Sequence, residues 1–199
     1  MRRLGIILLS MSLFISFNGY SAHHGEAHSH QKAVLVTGSN SGLGLRMTQE
    51  LSKNGFYVYA GVLHKDEMKE MNAMDNVTAV QFDVRSQVEI DAAVTFVEAQ
   101  GRGLYGLINN AGINVFGPLL EVPVEQLHYQ MDVNVYGPVR VTQAFAPLII
   151  QSKGRIATTG SVAGIITPPI FGAYSMSKHA IEAFNDTLAI EMARFDVSV

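Results

Sequence analysis

The chain has 199 residues, 48% of them hydrophobic and 16% charged, with 18 glycines and six prolines, which excludes a disordered polymer or a collagen-like repeat and leaves room for one nucleotide-binding-sized core. A formal net charge of -3 provides no basic surface for phosphate backbones, so nucleic acid is not an expected partner. Without cysteine there is no disulfide, no thiolate nucleophile and no zinc-finger site.

Residues 4–17 are apolar apart from Gly5 and three serines, follow Arg2 and Arg3, and precede a small, polar stretch at 18–22. Basic, apolar, small is the order of a secretory signal peptide. As a helix the apolar run would cover roughly 21 Å, short of the ~30 Å hydrocarbon core, which favours cleavage after Ser21 or Ala22 over a stable span. Residues 1–22 are therefore expected to be a signal peptide or a membrane anchor. Export, to the periplasm for example, or membrane attachment through 4–17 is the expected location; a cytoplasmic protein with a misplaced start is the alternative. Removing 1–22 takes the net charge from -3 to -5, because Arg2 and Arg3 go and no acid does. Residues 23–31 form a linker in which His23, His24, His28 and His30 give incidental metal affinity, but no scaffold there fixes a geometry, and no metal site is expected.

From residue 32 onward strands and helices alternate. The run 33–36 is apolar throughout and ends in Thr37-Gly38, as a strand buried on both faces would. A helix is expected from near Gly42, carrying Leu43, Leu45, Met47 and Leu51 and ending at Asn54-Gly55. A second strand is predicted at 56–62, a polar segment at 64–76 and a third strand at 77–82. Ile90, Ala93, Val94 and Val97 recur at helical spacing, 104–108 reads as a fourth strand, and 127–150 as a long helix broken or bent near Gly137-Pro138. A fifth strand at 155–159, a helix at 173–195 and the start of a sixth strand at 197–199 complete the pattern. Such alternation implies parallel pairing with right-handed crossovers: a doubly wound, Rossmann-type α/β sheet.

The segment Thr37-Gly38-Ser39-Asn40-Ser41-Gly42-Leu43-Gly44 falls where the first strand turns into the first helix. By itself a glycine-rich turn is weak evidence. Between a buried strand and an amphipathic helix it indicates nucleotide binding, with an anion held by backbone N–H groups at the positive end of the helix dipole. Tyr174 and Lys178 are four apart, so on a helix they share one face. A phenol ionises near 10, and using one as acid or base near neutrality needs about 3 units, or about 4 kcal/mol. One ammonium at about 4 Å supplies that much at an effective dielectric of ~20.

Together with Asp83-Val84, Asn109-Asn110-Ala111-Gly112, Asn134, Ser161 thirteen residues before Tyr174, and Tyr174-Ser175-Met176-Ser177-Lys178, this pattern resembles a short-chain dehydrogenase/reductase over residues 32–199. Segments 59–63 and 133–140 are most similar to the hydroxybutyrate, retinol and steroid dehydrogenase branch. The resemblance implies an NAD(P)-dependent oxidoreductase acting on an alcohol or ketone. In that reading Tyr174 is the general acid/base, Lys178 favours its phenolate and holds the nicotinamide ribose, Ser161 positions the substrate oxygen, and Asn134 holds a water leading from Lys178 to solvent. Gly38, Ser39, Ser41, Gly42, Leu43 and Gly44 would cradle the cofactor, Asp83 would meet the adenine amino group and Val84 its ring. Asn110, Ala111 and Gly112 would line the adenine-ribose side, with Asn109 or Asn110 bracing the central strands. A non-catalytic dinucleotide-binding or sensor protein on the same fold is the alternative.

At the end of the second strand, where an acid would select NAD, stand Val62 and Leu63. His64 and Lys65 are partly cancelled by Asp66 and Glu67, and no basic residue occurs at 39–41. NAD or NADP therefore both fit, with the branch resemblance leaning to NAD. The stretch 162–171 holds three isoleucines and no charge, which suits either an apolar substrate or packing against further chain. Family members continue beyond the sixth strand, so the sequence is expected to be carboxyl-terminally truncated and poorly stable, with the complete protein a homo-oligomer.

Overall fold

The computed structural model describes residues 31–199. The leader and the histidine cluster lie outside the described residues.

Five strands form one sheet: β1 (Ala33–Thr37), β2 (Tyr57–Val62), β3 (Val77–Gln81), β4 (Gly106–Asn109) and β5 (Arg155–Thr158). All pair in parallel in the order β3-β2-β1-β4-β5. The helices between them are α1 (Gly42–Lys53), α2 (Met68–Met71), α3 (Gln87–Ala99), α4 (Val124–Met131), α5 (Gly137–Ser152) and α6 (Gly172–Ala193).

β1 shows why an uninterrupted apolar run is needed. Its alternate side chains go to opposite faces: Ala33 and Leu35 join one core with Tyr59, Ile90, Val141 and Phe145, while Val34 and Val36 join the other with Val58, Ala60 and Met71. The strand order reverses between β1 and β4. At such a switch point neighbouring loops part and open a crevice at the strands' carboxyl ends.

Three features differ from expectation in detail. Segment 64–76 is not all loop: a 3-10 turn (Lys65–Glu67) and the single-turn α2 occupy part of it. The long helix begins at Val124 and is interrupted by a π-helical turn (Asp132–Tyr136), with Gly137-Pro138 opening the next helix instead of breaking it. Gly137 N–H donates to Asp132 O in the π-helical pattern, and Pro138, which has no N–H to give, falls where that pattern passes into α5. Gly137 is required for close packing, since a Cβ on it would lie 2.9 Å from Val84 Cγ2. The sixth strand is one parallel bridge, Arg155 to Ser198, with Ile156 N–H donating to Ser198 O at 2.8 Å. Among the described residues no helix is long and apolar enough to cross a membrane.

Candidate active site

A cleft of about 520 Å³ opens over the carboxyl ends of the strands. It runs from Asn40 and Ser41, in the β1–α1 turn, past Gly112 to Tyr174 and Lys178 on α6.

The turn owes its shape to three glycines with different tasks. Gly38 and Gly42 have φ of +65° and +53°, a left-handed conformation that costs any residue with a Cβ. A Cβ on Gly42 would meet no protein atom within 4 Å, so this position faces open space in the cleft. A Cβ on Gly44 would lie 2.0 Å from the Gly38 carbonyl oxygen, which makes Gly44 the close-packing residue between helix and turn. Ser41 is the residue before α1 and its side chain makes no capping bond, while the neighbouring Leu43 is exposed at the cleft.

Ser39 requires a correction. It is fully buried; its N–H donates to Gly61 O at 2.9 Å, tying the turn to β2, and its hydroxyl donates back to Val36 O at 2.7 Å at the end of β1. It does not reach the cleft. Gly44 and Asn134 also lie outside the cleft lining.

Asn110 lines the cleft, and its side chain acts as a brace. Its Nδ2 donates to the Thr37 and Gly38 carbonyls at 3.1 and 3.2 Å, and its Oδ1 accepts from Thr159 Oγ1 at 3.1 Å. The Thr37 hydroxyl in turn accepts from the N–H groups of Asn110 and Ala111, both at 2.9 Å. The ends of β1, β4 and β5 are thus tied into one rim. Asn109 donates to Thr142 Oγ1 at 2.9 Å beneath it.

At one end of the cleft Val84 presents an apolar side chain beside Asp83. The Asp83 carboxylate accepts from Arg85 through Nε and Nη2, and this hydrogen bonding holds its carboxyl below the ordinary range against the opposing effect of burial. The Asp83 charge is therefore compensated.

At the other end, Lys178 is buried to 8% exposure and its Nζ donates to Thr159 O at 2.6 Å. Burial disfavours the ammonium and pulls its pKa below the ordinary 10.5, opposed by Glu182 one turn along the helix. Nζ stands 5.6 Å from the centroid of the Tyr174 ring, so the two head groups share the end of the cleft as their spacing implied. The Tyr174 ring meets Phe171 edge-on, and Phe171 meets Phe116 at 4.8 Å between centroids.

Ser161 precedes a 3-10 turn (Val162–Gly164), where its Oγ accepts from Ala163 N–H at 3.1 Å; its own proton has no part in that bond. Asn134 is 3% exposed inside the π-helical turn. Its Oδ1 accepts from Ile113 N–H at 2.8 Å, and its Nδ2 donates to Ile113 O at 2.9 Å and Ser177 Oγ at 3.1 Å. With those partners the amide clamps the loop after β4, and its side chain is occupied.

Sequence reasoning left Gln130 out and gave Ser177 no role of its own within the Tyr174–Lys178 segment. Gln130 is fully buried, accepts from Val115 N–H and reaches Ser177 Oγ at 3.5 Å, while Ser177 donates to Tyr174 O at 2.7 Å. This chain of amides and hydroxyls connects the loop after β4 to the helix that carries Tyr174. Its signal was available: Gln130 lies one helical turn before Asn134, and Ser177 precedes Lys178.

The model of the short chain dehydrogenase family matches residues 32–199. The chain belongs to that family. Among curated relatives of this short-chain dehydrogenase, the oxidoreductase YbbO of Escherichia coli is 39% identical over 171 residues, which is 85% of this chain and 63% of that protein. The mitochondrial D-beta-hydroxybutyrate dehydrogenase of Bos taurus is 39% identical over 178 residues, 84% of this chain and 52% of that enzyme. The chain therefore spans between about half and two thirds of the length of these relatives. Among solved structures, an actinorhodin polyketide ketoreductase variant with NADPH aligns at a TM-score of 0.80 and 29% identity, over 85% of this chain and 68% of its own. A gluconate 5-dehydrogenase from Burkholderia cenocepacia in complex with NADP and tartrate aligns at 0.80 and 26%, over 83% and 68%.

Proposed function

We propose that the protein interconverts an apolar alcohol and the corresponding ketone or aldehyde with NAD(P), Tyr174 serving as general acid and base. The observation that carries this reading is the placement of Tyr174 and Lys178 on one face of α6 at the end of a cleft that starts at a glycine-built helix N-terminus.

The cleft suits a dinucleotide in three respects. The space above Gly42 is free of protein atoms, so diphosphate oxygens could approach the turn and the first N–H groups of α1. Val84 offers an apolar contact for an adenine ring, and Lys178 offers N–H donors to a ribose at the far end. The bound nicotinamide supplies the hydride chemistry, and the protein supplies position and charge. In the reducing direction Tyr174 Oη gives its proton to the carbonyl oxygen as the carbonyl carbon gains a hydride; in the oxidising direction the same oxygen takes the hydroxyl proton. The Lys178 ammonium stabilises the negative charge left on that oxygen, more strongly for being out of bulk water. Ser161 would hold the substrate oxygen with the proton that its bond to Ala163 leaves over.

For the cofactor we favour NAD, on the branch resemblance and the absence of a basic residue at 39–41. For the substrate, the loops after β4 and β5 meet beside Tyr174, where Gly117 N–H donates to Ile170 O at 3.0 Å. Phe116, Ile165, Ile166 and Ile170 are exposed on them, and stretch 162–171 carries no charge to receive a carboxylate. Apolar ketones of increasing length, assayed by nicotinamide absorbance, should gain in kcat/KM by about fourfold per buried methylene. A flat series, or a preference for keto acids, would contradict an apolar substrate.

A further inference from the structure

In open α/β sheets that bind dinucleotides, an acid at the end of the second strand accepts from the adenosine 2'-hydroxyl and excludes a 2'-phosphate. In this chain that place is taken by Leu63, whose side chain has no polar atom and is 45% exposed at the cleft. An acid nevertheless lines the cleft a few residues further on. Glu67 closes the 3-10 turn after β2 and lines the same cleft as Leu63 and His64. Its Oε2 accepts from His64 N–H at 2.9 Å, which folds the carboxylate back over the turn. Its Oε1 accepts from Asn40 Nδ2 at 2.6 Å, so the side chain is held from both rims, the β1–α1 turn and the segment after β2.

The second acid at this cleft, Asp83, is compensated by the Arg85 guanidinium. Among the described residues Glu67 forms no ion pair, and its neighbours Lys65 and Asp66 offset one another at exposed positions. An ionised carboxylate can only accept hydrogen bonds, so it suits a ribose hydroxyl and opposes a phosphate carrying about -1.5 to -2 charge.

We propose that Glu67, positioned by Asn40 and the His64 backbone, is the residue that selects NAD over NADP. It replaces the acid missing from the end of β2. The inference rests on the cleft being a dinucleotide site and goes beyond it by naming the discriminating group.

The test is binding, read without turnover. NADH and NADPH are titrated by fluorescence into the 199-residue chain, into Glu67→Gln and into Glu67→Ala, each variant checked for an unchanged circular dichroism melt. The wild type should bind NADH at least about tenfold more tightly than NADPH. Both variants should bring the two affinities to within about threefold, mainly by tightening NADPH, and added salt should narrow the wild-type gap because it screens a partly exposed charge. A wild type that binds both equally or prefers NADPH overturns the proposal, as does a preference that both variants leave intact. Binding of neither dinucleotide would defeat the cleft reading together with this inference, whereas binding of both with an unmoved ratio would defeat this inference alone.

Discussion

Replacing Gly44 with alanine puts a methyl group 2.0 Å from the Gly38 carbonyl oxygen and 2.6 Å from Asn110 Nδ2. Ordinary contact needs about 3.4 Å, so the first turn of α1 and the glycine turn must separate by about 1 Å or more, which for overpacking in a rigid setting costs about 1–3 kcal/mol. The Asn110 to Gly38 hydrogen bond, 3.2 Å long, is in the way of that movement, and its loss adds about 1 kcal/mol. Alanine recovers about 1 kcal/mol of helix propensity, leaving a net loss of about 2 kcal/mol. For a chain of this size each kcal/mol lowers Tm by about 2–4 °C, so Gly44→Ala should melt about 4–8 °C below the wild type. Gly42→Ala provides the contrast. With no atom within 4 Å it meets only the left-handed strain of φ +53°, about 1–2 kcal/mol, but its methyl group protrudes into the cleft. Thermal melts and nicotinamide titrations on both variants should show both losing stability, Gly42→Ala by no more than Gly44→Ala, with Gly42→Ala losing cofactor affinity as well. A Gly44→Ala melt within about 1 °C of the wild type would refute the packing argument.

Two further outcomes follow from the buried polar groups. Because burial pulls the Lys178 ammonium below 10.5, the unfolded chain binds more protons than the folded one between that lowered value and 10.5. Folded-state stability contributed by this group therefore rises with pH across that window, and wild type should gain on Lys178→Met as pH climbs through it; parallel denaturant curves would contradict the burial effect. Gln130→Leu takes the acceptor from the partly buried Val115 N–H, so urea unfolding should show about 1 kcal/mol lost at unchanged slope, while an unaltered midpoint would mean the network adds nothing to stability.

Much of the fold was legible because a doubly wound sheet announces itself locally. β1 needed apolar residues at every position to serve two cores, and its alternate side chains do face the two cores. The Tyr174–Lys178 pair was legible for the same kind of reason, a spacing of four on a helix. What escaped depends on contacts between distant segments. The π-helical turn passes into α5 at Gly137, which packs against Val84, a neighbour more than fifty residues earlier in the chain. Ser39 was expected at the cofactor because it sits in the glycine turn, but whether a turn residue points up or down is decided by its partners, here Gly61 and Val36. Glu67 had been weighed only as a charge beside Lys65. Its bond to Asn40 crosses 27 positions and has no local signature.

Tyr174→Phe tests the central claim most directly. Removing one hydroxyl from a half-buried ring that packs on Phe171 should leave the fold and dinucleotide binding intact. Turnover of ketone, followed by nicotinamide absorbance, should fall by at least about 10²-fold, the low end of what a positioned acid/base contributes. Undiminished turnover by a variant that still binds cofactor would show that Tyr174 does not carry the proton, and the mechanism proposed for this cleft would be wrong.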